Sequence, residues 1–245
     1  MDGADIRCFI IHLERARQRA HHVKTLLAST PYKTDIVLAV DGKDETFDAT
    51  SFYKRSMIKP KYPFVLRGAE VATFLSHRKC WSRIVEEGLT AALILEDDVT
   101  LAKLEFENAL SLALENIRQG DIVRLPVKRR EHSLKDIAVN KSSTLFRPSK
   151  IGLGTQAQIV TYGAAKKLLS KTKKFDRPID TYLQLFWEHN VRILSVLPSG
   201  VSEISENLGG SLIGGKQPFW TKLKHEIQRP IYRFKIDRLV HKNTS

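Results

Sequence analysis

The feature that most constrains the fold is an apolar run, residues 91–95, that ends abruptly in three carboxylates, Glu96, Asp97 and Asp98. An uninterrupted apolar run of this length is typical of a central strand buried on both faces. Charge directly after such a strand indicates that the strand ends where the sheet opens to solvent. The sequence therefore predicts a buried sheet with an acidic cleft at the end of this strand.

Other apolar runs alternate with segments of helical periodicity along the chain. The apolar runs predict strands at residues 8–13, 36–40, 91–95, 122–125, 158–161 and 191–196. The 3.6-residue periodicity predicts helices that begin near residue 16 and extend over residues 69–87, 105–118 and 163–170. Alternation of this kind favours an α/β sheet with helices on both faces.

Two stretches lack either pattern. Residues 43–67 contain aromatic residues and the prolines Pro60 and Pro63, so a long connection with little regular structure is expected there. Residues 128–149 are polar, begin with Lys128, Arg129 and Arg130, and show no periodicity. We interpret this second stretch as a mobile loop, in a position to cover the active site.

The carboxyl-terminal segment differs from the rest, and we divide the chain into a main domain, residues 1–215, and a basic amphipathic tail, residues 216–245. One helical face of the tail contains Phe219, Trp220, Leu223 and Ile227; Pro230 is expected to interrupt the helix before apolar positions resume. Lysines and arginines are interleaved with these residues, as in helices that bind anionic membrane surfaces. The alternative is a helix packed on the main domain.

Composition narrows the class of protein. The 40 Lys plus Arg against 27 Asp plus Glu give a formal net charge of +13, which favours an anionic partner. Only Cys8 and Cys80 are present, so neither a disulfide framework nor a zinc site is indicated. The amino-terminal apolar stretch is too short for a signal peptide or a membrane span, and a cytoplasmic location is expected.

The acidic trio has two interpretations. Carboxylates at the end of a strand can present oxygens to a hard divalent cation such as Mn²⁺ or Mg²⁺, whose shell is completed by diphosphate oxygens and water. Asp98 is the leading metal ligand and Glu96 the second. Alternatively, the carboxylates cap the following helix or face water.

Several separated segments between residues 6 and 213 resemble one family of enzymes. They are Ile10 to Arg15 with Arg17 and Arg19; Ala39-Val40-Asp41-Gly42; Glu70 to Trp81, which contains Phe74-Leu75-Ser76-His77; Leu93 to Val99; Gly163-Ala164-Ala165 with Leu168-Leu169; and Pro178-Ile179-Asp180. Together they resemble glycosyltransferase family 25, the group that contains lipopolysaccharide and lipooligosaccharide glycosyltransferases. The segment 70–81 followed by the segment 93–99 is the specific part of the resemblance.

The resemblance implies a GT-A-like fold, a UDP-sugar donor of galactose or glucose, a lipopolysaccharide or lipooligosaccharide core acceptor, and transfer with inversion. Together with the basic tail, a bacterial enzyme of this kind is expected to be peripheral on the inner face of the inner membrane. An inverting transfer needs a carboxylate that accepts the proton of the acceptor hydroxyl. Asp180 is the first candidate base, with a first-turn helix cap as its alternative, and Glu203 is the second.

Seven residues are expected to bind the donor or its metal. They are His12, Arg15, Asp41, Glu70, His77, Glu96 and Asp97. Three alternatives stay open: His77 as a structural histidine, Glu70 as a cap of its own helix, and the arginines after residue 14 as a solvated face.

Two other classes of function remain. A magnesium-dependent phosphotransferase would use the same trio, but it normally needs an Asp nucleophile after the first strand, where this chain has His12 and Glu14. A nucleic-acid or anionic-membrane binding module without catalysis would fit the net charge, but no aromatic-basic RNA motif accompanies it, and nucleic acid is not expected as a partner. Ser76 and His77 are adjacent on a helix and cannot form a hydrolase pair.

Overall fold

A computed structural model describes residues 5–208 and 219–244 of the chain. The fold begins with strand β1 (Ile6–His12), helix α1 (Ala20–Ser29) and strand β2 (Thr34–Leu38), and β1 pairs with β2 in parallel. Residues 43–67 follow with little regular structure, apart from a single turn of 3₁₀ helix. Helix α2 (Gly68–Glu86) then leads into strand β3 (Ala91–Glu96), which lies beside β1 in parallel.

The second half of the fold adds further strands and helices. In chain order they are β4 (Val99–Leu101), α3 (Lys103–Asn116), β5 (Asp121–Arg124), β6 (Ser133–Val139), β7 (Thr144–Pro148), β8 (Ala157–Thr161), α4 (Tyr162–Lys171), α5 (Ile179–Leu183), α6 (Phe186–His189), β9 (Arg192–Leu197), β10 (Val201–Glu203) and α7 (Phe219–Thr244). The expected strands and helices are therefore present, with ends shifted by a few residues. Four of the strands, β4, β6, β7 and β10, were not expected from the sequence.

The prediction of a loop over residues 128–149 is wrong. Strands β6 and β7 occupy most of this stretch and pair antiparallel. Strand β6 forms the edge of the sheet, and its side chains are almost all exposed. A strand that is exposed on both faces has no need of apolar alternation, and for this reason the sequence pattern missed it.

Eight strands form one mixed sheet in the order β2-β1-β3-β8-β5-β9-β7-β6. The β1–β2, β1–β3 and β5–β9 pairs are parallel, and the other four pairs are antiparallel. Because β1, β2 and β3 run in the same direction, their carboxyl ends meet at one edge of the sheet. The expected α/β fold class is confirmed.

Alternate residues of the central strands point to opposite faces of the sheet, and each face has its own core. Phe9 and Ile94 pack with α2 and α4 on one face, and Ile10 and Leu93 pack with α1 and α3 on the other. Helices therefore cover both faces. This explains why the central strands are apolar without alternation.

A small second sheet lies beside the carboxyl end of β3. Strand β4 pairs antiparallel with β10, with Val99 opposite Glu203, and the Ile204 N–H donates a hydrogen bond to the Asp98 carbonyl. This pairing brings Glu203 next to the acidic trio, although it lies about a hundred positions further along the chain.

Helix α7 continues through Pro230, so the predicted interruption at that proline is wrong. Tyr232, Ile236 and Val240 are buried, and they pack against Leu185 and its neighbours on the main domain. The carboxyl-terminal half of α7 therefore packs on the main domain, as the alternative interpretation of this segment anticipated. In the part of the chain that the structure describes, no helix combines the length and the apolar character needed to cross a bilayer.

A buried arginine attaches helix α7 to the main domain. Arg177 is fully buried; it donates a hydrogen bond of 2.8 Å to the Tyr232 hydroxyl and another of 2.8 Å to the Ile58 carbonyl. Asp176 pairs with Arg177 and accepts the backbone N–H groups of Met57 and Ile58. Burial of such a pair is tolerated when its hydrogen bonds are satisfied, as they are here.

His189 gives the fold a dependence on pH. Its Nε2–H donates to the Leu183 carbonyl, and its Nδ1 accepts from the Val191 N–H, so both ring nitrogens are bonded in the neutral tautomer. Burial lowers the pKa of His189 from 6.5 to about 4. Protonation would place a second hydrogen on Nδ1, directly against the Val191 N–H.

We expect the free energy of unfolding to fall as the pH is lowered from about 6.5 to about 4, because the unfolded chain binds the proton more readily in this window. Above about 6.5 the contribution of His189 is fully present, and a shift of this size corresponds to roughly 3 kcal/mol. Urea unfolding of the wild type and of His189→Asn across this range measures the difference. Parallel curves for the two proteins would contradict the assignment.

Candidate active site

A cleft of about 110 Å³ lies at the edge where β1, β2 and β3 end. It is lined by Ile11, Leu13, Arg15, Arg19, Ala39, Val40, Asp41, Gly42, Ala69, Ala72, Thr73, Ser76, His77, Glu96, Asp97 and Asp98. The structure thus brings together the acidic trio, the basic turn after β1, the turn after β2 and one face of α2. Polar residues that lie far apart in the sequence therefore line the same cleft.

Two glycines allow the turn after β2 to contact the start of α2. A Cβ atom on Gly42 would lie 2.5 Å from the Gly68 carbonyl carbon and oxygen, closer than any real contact. The Val40 N–H also donates to the Ser76 hydroxyl, which itself donates to the Ala72 carbonyl. These contacts fix the distance between two walls of the cleft, and a side chain at position 42 would force them apart.

Asp97 is the most deeply buried carboxylate of the trio. Its Oδ1 accepts a hydrogen bond of 2.5 Å from Arg19, and its Oδ2 accepts one of 2.7 Å from His12 Nδ1. The Arg19 side chain is itself only 3% exposed. Asp97 therefore fixes the end of β1 and the turn after it, and both of its oxygens are engaged.

Asp98 differs from Asp97 in that one of its oxygens is available. Arg19 donates to Oδ2 over 3.1 Å, whereas Oδ1 is buried and has no hydrogen-bond partner among the described residues. Burial and the charge of Glu96 raise the pKa of Asp98 to about 6, although the charge of Arg19 lowers it. A bound cation would give Asp98 Oδ1 a partner and would offset the repulsion between the neighbouring carboxylates.

Glu96 is held by two donors. His77 Nε2 donates to its Oε1 over 3.2 Å, and the Thr155 hydroxyl donates to the same oxygen over 2.8 Å. Gln158 donates to His77 Nδ1, which leaves the hydrogen of the neutral ring on Nε2. Burial raises the pKa of Glu96, but the bond from His77 and the other partners outweigh it, so the net shift is downward.

Arg15 and Asp41 form an ion pair at the mouth of the cleft. The Arg15 Nε donates to Asp41 Oδ2 over 2.5 Å, and the Lys43 N–H donates to Asp41 Oδ1. Slight burial raises the pKa of Asp41, but the bonds from Arg15 and from the Lys43 N–H, together with the charge of Arg15, outweigh it and the net shift is downward. The pair joins the turn after β1 to the turn after β2.

Two of the expected donor-binding residues do not line the cleft. His12 lies behind Asp97 and is 8% exposed. Glu70 accepts the N–H of Arg67, the residue that caps α2, and thus adopts the helix-capping alternative. His12 is engaged by the Asp97 side chain and Glu70 by the Arg67 N–H, so neither is a donor contact.

The helix-capping alternative for the acidic trio is not what the structure shows. The residue after Asp98 begins strand β4, and α3 begins only at Lys103, with Ala102 as its N-cap residue. The Asp98 side chain is therefore available for another role.

The two candidate bases lie in a larger cavity of about 710 Å³. Asp180 is in the first turn of α5, where its carboxylate accepts the N–H groups of Gly154 and Thr181. Glu203 accepts the Ser205 hydroxyl, and its charge contributes to the raised pKa of Asp98. Gly154 adjoins Thr155, which bonds Glu96, so the larger cavity begins where the acidic trio ends.

Sequence reasoning missed Thr155 and Gln158 and did not single out Arg19. Arg19 was grouped with two other arginines of one turn, and nothing in their spacing distinguishes the buried one from the exposed Arg15 and Arg17. Thr155 and Gln158 lie on or beside β8, and no local pattern connects them to Glu96 or His77. The only signal that could have found them is the antiparallel pairing of β8 with β3.

The fold and the site define an α/β protein with a ligand-binding cleft at the carboxyl ends of parallel strands. Residues 5–183 match the family model described as glycosyltransferase family 25 (LPS biosynthesis protein), and the chain belongs to that family. The resemblance noted from the sequence is thereby confirmed.

Three relatives from animals show the extent of the similarity. Procollagen galactosyltransferase 1 of Danio rerio is 26% identical over 73% of this chain and 31% of its own length, and procollagen galactosyltransferase 2 of Homo sapiens is 25% identical over 73% and 30%. Inactive glycosyltransferase 25 family member 3 of Mus musculus is 25% identical over 78% and 35%. The chain spans about a third of the length of these relatives.

Proposed function

We propose that the protein transfers a hexose, galactose or glucose, from a UDP-sugar to a hydroxyl group of a lipopolysaccharide or lipooligosaccharide core saccharide, with inversion at the anomeric carbon. Family membership supports a glycosyl transfer, and the names of the relatives from Danio rerio and Homo sapiens support galactose. The description of the family supports an acceptor in lipopolysaccharide biosynthesis.

One observation carries the proposal: Asp98 Oδ1 is a buried carboxylate oxygen without a partner among the described residues, at a cleft that also contains two arginines. Such an oxygen suits a divalent cation, Mn²⁺ or Mg²⁺, which binds one or two carboxylates and completes its shell with phosphate oxygens and water. Asp98 would hold the cation, with Glu96 as the second ligand.

The residues present fit a cation of that kind. Among the described residues no group of three or more His, Cys, Asp and Glu side chains could enclose a metal. A site with one or two protein ligands needs no such group, because the diphosphate supplies the rest. When bound, the cation would offset the negative charge of the departing diphosphate.

The remaining residues of the cleft suit a nucleotide diphosphate. Arg15 and Arg19 place two guanidinium groups at the wall formed by the turn after β1, and guanidinium forks match phosphate oxygens. His77 and Thr155 fix the orientation of the Glu96 carboxylate before any ligand arrives. Asp41 and Glu96 line the cleft and would supply oxygens for ribose or amide contacts, whereas both oxygens of Asp97 are engaged by Arg19 and His12.

We propose that the larger cavity binds the acceptor. It begins at Gly154, beside the acidic trio, and it contains Asp180 and Glu203. In an inverting transfer the acceptor hydroxyl attacks from the side opposite the leaving diphosphate, and a carboxylate takes its proton. A carboxylate in a cavity next to the donor cleft meets that requirement.

A screen of UDP-sugars and other nucleotide sugars, with and without manganese, tests the function. We expect release of UDP from UDP-galactose or UDP-glucose, and an increase when manganese and a saccharide acceptor are added. Tight binding of another nucleotide, with no metal-enhanced binding of UDP in calorimetry, would overturn the proposal that the donor is a UDP-sugar. Absence of turnover with every donor and acceptor would overturn the proposal of catalysis.

We also propose that helix α7 holds the protein at an anionic membrane surface, which would place it on the cytoplasmic face of a bacterial inner membrane. While one face of α7 packs on the main domain, Ile227, Ile231 and Phe234 on another face are 59%, 51% and 63% exposed. Their spacing puts them along one stripe. Exposed basic residues accompany them, namely Arg229, Arg233, Lys235, Arg238 and Lys242.

Replacing Ile227, Ile231 and Phe234 by serine should reduce sedimentation with vesicles that contain phosphatidylglycerol by about tenfold or more, because each lost side chain removes buried apolar area. Deletion of α7 is a poorer test, since it would remove Tyr232 from Arg177. Serine at the exposed Ile36 and Leu38, on the edge strand β2, is the matched control. Unchanged vesicle binding by the triple variant would rule out the anchor.

A further inference from the structure

The larger cavity is formed by five parts of the chain. The loop after β5, the loop between β7 and β8, the start of α5, strand β10 and helix α7 all contribute to its walls. Its volume, about 710 Å³, lies in the range of sites that enclose most of a ligand of several hundred daltons. A saccharide longer than one sugar unit would fit this space.

The charges of the cavity are unevenly distributed. Its lining contains five Lys and Arg side chains, Arg124, Lys128, Arg130, Lys150 and Arg233, and three carboxylates, Glu131, Asp180 and Glu203. Two of the basic groups are already engaged. Arg124 is buried and pairs with Glu131, and Lys150 pairs with Asp237 of α7 over 2.5 Å.

Lys128 is only loosely paired. Its Nζ lies 3.9 Å from Glu203, at the limit of an ion pair, and its side chain is 60% exposed. Such a contact contributes little and leaves most of the charge of Lys128 available.

Arg130 and Arg233 have no ion pair within the described residues. Both side chains are exposed and both line the cavity, although Arg130 belongs to the loop after β5 and Arg233 to helix α7. Two guanidinium groups without ion pairs, from separate elements that border one cavity, are suited to bind a phosphate or a carboxylate of a ligand in that cavity, which a neutral sugar does not require.

We propose that the acceptor saccharide bears an anionic group, a phosphate or a carboxylate, and that Arg130 and Arg233 bind this group while Lys128 adds to the positive potential. The inference rests on the proposed function, because it takes the larger cavity as the acceptor site. The anion would bind away from Asp180 and Glu203, which repel it. The charges would thus orient the saccharide, with its anionic end at the arginines and a hydroxyl group at the carboxylates.

Calorimetry with glucose 6-phosphate and with glucose tests the inference, in the presence of saturating UDP and manganese so that the smaller cleft is filled. We expect glucose 6-phosphate to bind about tenfold more tightly than glucose or better. Arg130→Gln and Arg233→Gln should each remove part of this preference, and the double variant should abolish it. Lys235→Gln, an exposed charge of α7 outside the cavity, is the matched control and should keep it.

Several results would overturn the inference. They are equal binding of the two sugars, a preference that survives in a double variant with a wild-type melting temperature, or a preference that disappears when UDP is present. Inorganic phosphate that binds as tightly as glucose 6-phosphate would show a phosphate site without saccharide recognition. Failure of the proposed donor appears separately, as absence of UDP binding, and the two sugars can still be compared without UDP.

Discussion

Asp98→Asn should lower the rate of sugar transfer by about 100-fold or more and should remove the effect of manganese on UDP binding, because the amide cannot supply the anionic oxygen that a hard cation needs. The substitution keeps the size of the side chain. Its Oδ atom can still accept the 3.1 Å hydrogen bond from Arg19. The loss is therefore confined to the charge and to the oxygen that lacks a partner.

Stability and activity should move in different directions in this variant. Burial and neighbouring carboxylates raise the pKa of Asp98 to about 6, so its ionisation at neutral pH costs more in the folded protein than in the unfolded chain. Removal of the charge should leave the melting temperature unchanged or raise it. The measurement is the transfer rate against manganese concentration for both proteins, with melting temperatures.

Asp97→Asn is the matched contrast. Asp97 accepts hydrogen bonds from Arg19 and His12 in a buried position, and its neutralisation leaves Arg19 with a weakened partner. Loss of one partner of a buried pair costs about 3 to 5 kcal/mol. We expect a clear fall in melting temperature for Asp97→Asn and none for Asp98→Asn. Metal-responsive transfer by a folded Asp98→Asn protein would defeat the ligand assignment.

Asp180→Asn should lower the turnover number by about 100-fold or more if Asp180 is the base, with UDP affinity nearly unchanged. Asparagine keeps one acceptor oxygen, which can bond either the Gly154 or the Thr181 N–H, so a purely structural role would lose one hydrogen bond and appear as a lower melting temperature with turnover retained. Turnover is measured with both substrates saturating, so that a change in acceptor affinity does not hide the effect.

Glu203→Gln separates the two candidates. Both carboxylates line the larger cavity, but only Glu203 is close enough to Asp98 for its charge to contribute to the raised pKa of that residue. A large loss in Glu203→Gln together with normal turnover in Asp180→Asn would move the base to Glu203. Normal turnover in both folded variants would exclude both residues.

The sequence determined the central part of the fold. Strands β1, β3, β5, β8 and β9 lie in the interior of the sheet, where apolar runs are required, and their positions follow from composition over a few residues. The break at Glu96 likewise marks the end of β3, because charge cannot continue into a layer covered by helices. The cleft at this edge was therefore predictable.

The tertiary structure decided what local patterns do not record. Strand β6 is exposed on both faces and so has no signature, and Pro230 is accommodated within α7. The sequence gives no reason why Arg19, among three arginines, is the buried one. Its role depends on the position of Asp97 at the end of another strand.

The assembly of the site also depends on the tertiary structure. Glu203 reaches the acidic trio through the β4–β10 pair, and Thr155 and Gln158 reach Glu96 and His77 because β8 lies beside β3. Arg233 borders the larger cavity because helix α7 packs on the main domain and bonds Arg177. Each contact joins residues far apart in the chain. Periodicity and composition are local quantities, so they fixed which segments become strands and helices, whereas the packing of those elements fixed which side chains meet.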